Sequence, residues 1–248
     1  MIKRILLSPV LLVAANNVSA QVPAAASTTQ PIKIVLVGDS TVATEGGWGP
    51  AFCAATKPGV TCIDLALNGR STKSFLDEGA WRKALAERGQ YYFIQFGHND
   101  QKPDPSRHAD AKTDYAANLR RYIADVRAVG GTPVIVSSLS RRNYADGKLI
   151  VSDGLKEYAA SARNVATEEK VPFVDLYALS TAYLSGMTQE QADKFNATTN
   201  SDAANEKASA TKPDRTHLND RGKTVFGDMV VKEVARTQPA LRPYLQTP

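Results

Sequence analysis

Apolar residues in this chain fall into two patterns. Short continuous runs, of which Ile34-Val35-Leu36-Val37 is the clearest, do not alternate with polar residues and read as strands buried on both faces. Further runs of this kind predict strands over residues 60–66, 91–96, 133–138 and 171–176. Between them the period changes. Tyr115, Leu119, Tyr122, Ile123 and Val126 recur at helical spacing over residues 113–129 and are closed by Gly130-Gly131. Helices are likewise predicted over residues 72–88, 155–168 and 220–236, with a short one over 49–56. Residues 101–112 read as loop, Arg141-Arg142-Asn143-Tyr144 opens a long loop over the carboxyl ends of the strands, and residues 177–210 read as short helices and loop. Strands alternating with helices imply a parallel sheet covered on both sides. The expected fold is a three-layer α/β/α sandwich with five strands in flavodoxin-like order.

The polar stops at the ends of these strands carry the chemistry, because ligands in such sheets bind outside the carboxyl ends of the strands. The first strand ends in Gly38-Asp39-Ser40-Thr41, the second in Asn68-Gly69-Arg70-Ser71 and the third in Gly97-His98-Asn99-Asp100. An ester-cleaving serine needs a base within hydrogen-bond reach, a group that orients the base, and donors where negative charge develops. Ser40 is the candidate nucleophile. His217, expected in a loop before the last helix, is the candidate base, with Asp214 three residues upstream to orient it. Asp39 and Asp100 read as carboxylates that pin turns. The glycines of Glu45-Gly46-Gly47-Trp48-Gly49-Pro50 would let backbone approach a ligand, with Trp48 either a lid over the core or a wall of the cleft.

Composition narrows the setting. The 248 residues, 43% hydrophobic and 22% charged, suit one domain over residues 32–248. Residues 1–20 have the basic start, apolar run and small-residue end of an export signal, with cleavage expected after Ala20, and residues 21–31 read as a Pro/Ala/Thr-rich linker. The mature protein is then expected in the periplasm or outside the cell, monomeric and free of the membrane. The formal charge is +5 and falls to +3 without Lys3 and Arg4. With no basic block or aromatic-interleaved stripe, nucleic acid is excluded as a partner. Cys53 and Cys62 are expected to pair in an exported chain, two buried thiols being the alternative. Two cysteines and three histidines make no recognisable metal constellation, and no cofactor is expected.

Taken together, the blocks Gly38-Asp39-Ser40-Thr41, Asn68-Gly69-Arg70-Ser71, Gly97-His98-Asn99-Asp100 and Asp214-Arg215-Thr216-His217 resemble the SGNH, or GDSL-type, hydrolase superfamily, and within it the rhamnogalacturonan acetylesterase-like family. The resemblance spans most of the chain in the family's order, and includes Phe75 to Gly79 with Trp81. It implies Ser40 as nucleophile, His217 as base, Asp214 as its partner, and the N–H groups of Ser40 and Gly69 with the Asn99 amide as oxyanion donors. It also implies removal of acetyl groups from an acetylated polysaccharide or oligosaccharide. Arg70, His98, Arg141, Arg142 and Trp48 are candidate substrate contacts, the arginines because a guanidinium can grip a uronate carboxylate through two hydrogen bonds. Acetylated xylan is the main alternative substrate. Arg215 stands where a small residue is common, which puts the shape of the cleft edge in question. The Gly-Asp and Gly-His-Asn-Asp turns also resemble those of metallophosphoesterases, but the histidines for a dinuclear site are missing. A carbohydrate-binding domain without activity is disfavoured because each catalytic position is filled.

Overall fold

The computed structural model describes residues 30–197 and 213–246. The expected export signal, nearly all of the linker and the end of the 177–210 segment lie outside the described residues. In chain order come β1 (Ile32–Gly38), α1 (Gly49–Ala54), β2 (Val60–Asp64), α2 (Thr72–Asp77), α3 (Ala80–Ala86), β3 (Tyr91–Gln95), α4 (Asp114–Ala128) and β4 (Thr132–Val136). A small hairpin follows, β5 (Tyr144–Ala145) with β6 (Lys148–Leu149). Then come α5 (Leu155–Glu168), β7 (Phe173–Val174), α6 (Leu176–Ser185), α7 (Gln189–Asp193), β8 (Asn196–Ala197), β9 (Asp214–Leu218) and α8 (Asp220–Thr237).

The main sheet has the order β2-β1-β3-β4-β7 and is parallel throughout. This is the expected flavodoxin-like order. From β1 the chain steps outward to β2 and then returns to the other side as β3, so a crevice opens between the carboxyl ends of β1 and β3. The two faces of β1 explain its unbroken apolar run. Ile34 and Leu36 join Phe93, Val134 and Val136 in a core closed by α1, α6 and α8, through Phe52, Leu176, Phe226 and Val230. Val35 and Val37 point the other way and pack with Tyr92 and Ile94 under α2 to α5, through Phe75, Trp81, Leu119, Tyr122 and Val165. Each such fully buried aliphatic side chain stabilises the fold by about 1.5–3 kcal/mol.

Cys53 of α1 and Cys62 of β2 form the expected disulfide, with Cα atoms 5.4 Å apart. A loop this short contributes about 2.5–3 kcal/mol in the chain-entropy treatment.

Four expectations need correction. The helix over 72–88 is two helices, because the Glu78 and Gly79 N–H groups fold back on Ser74 and Leu76 and Gly79 then turns left-handed, φ 79°. The strand over 171–176 shrinks to Phe173–Val174, since Asp175 caps α6 by accepting from Ala178 N–H. The loop after Arg142 contains the β5–β6 hairpin. The segment before the last helix is a strand: β9 pairs antiparallel with β8, Asn196 opposite Leu218.

Candidate active site

The turn after β1 is fixed by a buried chain of hydrogen bonds. Trp48 Nε1 donates to Gln95 Oε1 (2.8 Å), Gln95 Nε2 to Thr41 Oγ1 (2.6 Å), and Thr41 Oγ1 to Asp39 Oδ1 (2.7 Å). The Thr41 N–H also donates to Asp39 Oδ1, and those of Val42 and Ala43 to the Asp39 carbonyl. Asp39 thus pins the turn, as its sequence context implies. Burial pushes its carboxyl up, but His98 and Thr41 hold it below the usual range. Trp48 is 0% exposed, so it belongs to the core and is not a wall of the cleft.

Ser40, between these anchors, is 7% exposed and directs Oγ at His217 Nε2, 2.7 Å away. On the other side of the ring, His217 Nδ1 lies 2.7 Å from Asp214 Oδ2. Asp214 Oδ1 accepts from the N–H groups of Thr216 (2.9 Å) and His217 (3.0 Å). Burial alone would raise the Asp214 carboxyl, yet the His217 ring and these backbone donors bring it down to about 2. An ionised carboxylate only accepts, so Nδ1 carries the imidazole proton and Nε2 is left as an acceptor facing Ser40 Oγ.

His217 and Asp214 both come from β9, not from a loop. The Gly46-Gly47 segment packs on this strand: Leu218 N–H donates to Gly46 O, and a Cβ at Gly46 would sit 2.9 Å from His217 Cβ. Gly46, expected to approach a ligand, instead lets the chain approach its own histidine, while Gly47 and Gly49 let it pass close to Val42.

At the ends of the strands that flank β1 lie the expected charge-stabilising donors. Gly69, after β2, has φ +76° with open space where a side chain would go, so the constraint there is backbone conformation. Among the described residues no protein acceptor meets the Ser40 or Gly69 N–H. Asn99, after β3, is buried and donates from Nδ2 to Arg70 O at 3.0 Å. Asp100 accepts from Thr72 N (2.9 Å) and Thr72 Oγ1 (2.5 Å), which ties the second and third blocks together, and burial pushes its carboxyl up to about 7.

The candidate substrate contacts divide. Arg70 is half exposed and pairs with Glu78 (2.8 Å) beside a notch of about 380 Å³ that Leu67 and Lys83 also line. His98 is buried, with Nδ1 3.7 Å from Asp39 Oδ2, longer than a hydrogen bond; burial lowers its pKa against the opposing pull of Asp39. Arg141 is mostly buried and bonded to Asp153 at 2.8 Å. Arg142 is 0% exposed and bonded to Asn196 and to the His217 carbonyl, so it cannot reach a substrate. Arg215 pairs with Asp193 at 3.1 Å, and Asp193 Oδ1 also accepts from Gln189 and Asn196. Nothing in the local sequence marks Asp193 as this hub.

No helix among the described residues is long and apolar enough to cross a membrane. Known proteins match both the sequence and the fold. The chain is 32% identical over 167 residues to the probable rhamnogalacturonan acetylesterase YesY of Bacillus subtilis, covering 64% of this chain and 76% of that one. It is 37% identical over 159 residues to the rhamnogalacturonan acetylesterase RhgT of the same organism, covering 60% and 66%. Among solved structures, YxiM of B. subtilis superposes with a TM-score of 0.68 at 22% identity, over 84% of this chain and 57% of that one. Axe2, an acetylxylan esterase from Geobacillus stearothermophilus, gives 0.60 at 15% identity over 83% and 94%, which speaks to the fold alone. The sequence pattern of the GDSL-like lipase/acylhydrolase family matches residues 36–225. With that match running from β1 into α8, and so through every block that meets at Ser40, the chain belongs to the GDSL-like lipase/acylhydrolase family.

Proposed function

We propose that this chain is a serine esterase that removes acetyl groups from an acidic plant cell-wall polysaccharide of the rhamnogalacturonan type. The observation that carries the chemistry is the continuous relay Ser40 Oγ, His217 Nε2, His217 Nδ1, Asp214 Oδ2, with 2.7 Å at both hydrogen bonds. Ser40 Oγ attacks the acetyl carbonyl while His217 Nε2 takes its proton. The negative oxygen is received by the N–H groups of Ser40 and Gly69 and by the Asn99 amide. His217 then returns the proton to the departing sugar hydroxyl, leaving an acetyl-enzyme at Ser40. Water, activated by the same imidazole, releases acetate.

Asn99 suits its role because an amide donates at every working pH, and one Nδ2 hydrogen on Arg70 O leaves the second for the oxyanion. Asn99→Ala is expected to lower kcat about 100- to 1000-fold with KM little changed. Steady-state kinetics on a chromogenic acetyl ester check this, and a change confined to KM would make Asn99 a substrate contact instead.

The substrate reading rests on the names of YesY and RhgT and on Arg70, the one candidate arginine with a half-exposed guanidinium. A polymer must be met outside the cytoplasm, which suits an export signal over residues 1–20. Acetate release from acetylated rhamnogalacturonan and acetylated xylan, at matched acetyl content and two salt concentrations, is the test. The acidic polymer should be preferred, and the preference should weaken in salt and in Arg70→Ala. Equal use of xylan with no salt effect would refute the acidic-polymer reading and leave a general carbohydrate acetylesterase.

A further inference from the structure

Arg142 sits in a loop, where arginine normally faces water, yet it is 0% exposed. Its Nε donates to Asn196 Oδ1 and its Nη2 to the main-chain carbonyl of His217, both at 2.6 Å. Its backbone N–H donates to Arg215 O at 3.0 Å, and its carbonyl accepts from Gln189 Nε2 at 3.0 Å. The third nitrogen, Nη1, is buried without a partner among the described residues. Burial lowers the guanidinium to about 10 against the pull of Asp214 and Asp193, so the group stays a cation at neutral pH.

A buried, incompletely bonded cation is costly, and a hydrophobic residue would fill the space at less expense. What Arg142 supplies in return is a two-point grip across a weak ribbon. Among the described residues β8 offers β9 two residues of partner, Asn196 and Ala197, with an irregular register between them, and so short a ladder does not by itself hold a strand firmly. Arg142 holds one residue on each side of that ladder, Asn196 on β8 and His217 on β9.

We propose that Arg142 is a positioning residue: it fixes the His217 backbone so that Nε2 stays in line with Ser40 Oγ. It acts through His217 and never meets the substrate. The inference rests on the Ser40 and His217 roles proposed above.

The experiment compares Arg142→Lys, Asn196→Ala and the double variant with the unaltered protein. Each is assayed for kcat and KM on p-nitrophenyl acetate, for the rate of Ser40 labelling by a fluorophosphonate, and for folded fraction by circular dichroism. Lysine keeps the charge but replaces the rigid planar fork with one nitrogen on a flexible stem. Arg142→Lys is expected to lose about 10- to 100-fold in kcat, the scale of a small misplacement of a catalytic group, with KM within about twofold and labelling slowed in step. Asn196→Ala should show a smaller loss of the same kind, and the double variant should be no worse than Arg142→Lys. Unaltered kcat in folded protein would make Arg142 purely structural, and a rise in KM alone would make it a substrate contact. Either result overturns the proposal. Should Arg142→Lys fail to fold, Asn196→Ala decides by the same criteria. Ser40→Ala, run alongside, separates the two levels: activity surviving there refutes the nucleophile, whereas its loss with unimpaired Arg142 variants refutes only the positioning role.

Discussion

Ser40→Ala is expected to lower turnover of an acetyl ester by about four orders of magnitude or more while leaving the fold intact. Ser40 Oγ bonds to His217 Nε2, whereas the turn itself is held by Asp39, Thr41 and Gln95. Removing one oxygen therefore deletes the proposed nucleophile and none of the bonds that hold its turn. The surviving rate would come from substrate binding and the charge-stabilising donors alone. Initial rates on p-nitrophenyl acetate, with circular dichroism to verify folding, provide the check. A folded variant with a tenth of the original activity would mean that another group attacks the ester.

Much of the candidate site is legible in the sequence. The strands were visible because β1, β3 and β4 are covered on both faces, which forces unbroken apolar runs, and the polar stops at their ends located Ser40, Gly69 and Asn99. What was hidden depended on partners far away in sequence. Asp214-Arg215-Thr216-His217-Leu218 has too few apolar residues to announce a strand, and its partner among the described residues is the short Asn196–Ala197. Arg142 reads as a surface cation because burial of arginine is rare and depends on acceptors supplied by Asn196 and His217. Trp48 was ambiguous for a similar reason, since the indole N–H needed a buried acceptor and Gln95, 47 residues on, provides it.

The second large effect is expected at Asp214. In Asp214→Asn, the amide oxygen is drawn to the Thr216 and His217 N–H groups that Oδ1 now satisfies, which turns the NH2 toward His217 Nδ1. A donor facing Nδ1 favours the tautomer in which Nδ1 is bare and Nε2 carries the proton, so the ring can no longer accept from Ser40. A loss of about 10⁴-fold in kcat follows from the wrong tautomer alone. Ring ¹⁵N shifts of His217 report the tautomer directly, and a variant with an unchanged tautomer or more than a tenth of the original kcat would rule out this role. The pH dependence has a defined sign. Asp214 has its folded pKa near 2, below its ordinary 3.8, so its contribution to stability is complete above about pH 4 and is lost as pH falls toward 2. It does not titrate between pH 5 and 8. A fall in kcat on the acid side of neutrality therefore reports protonation of the imidazole, since only the neutral ring accepts the serine proton.

Ser40 and His217 meet across 177 residues of chain. Closing so long a loop carries a large entropic cost that only a nearly complete fold can offset, so this contact forms late. β1 and its turn can be made early in synthesis, but a nascent chain without β9 is a serine with no base. With the roles proposed for Ser40 and His217, growing chains and fragments that lack β9 are expected to be hydrolytically silent, and the onset of ester cleavage during refolding is expected to mark the docking of β9.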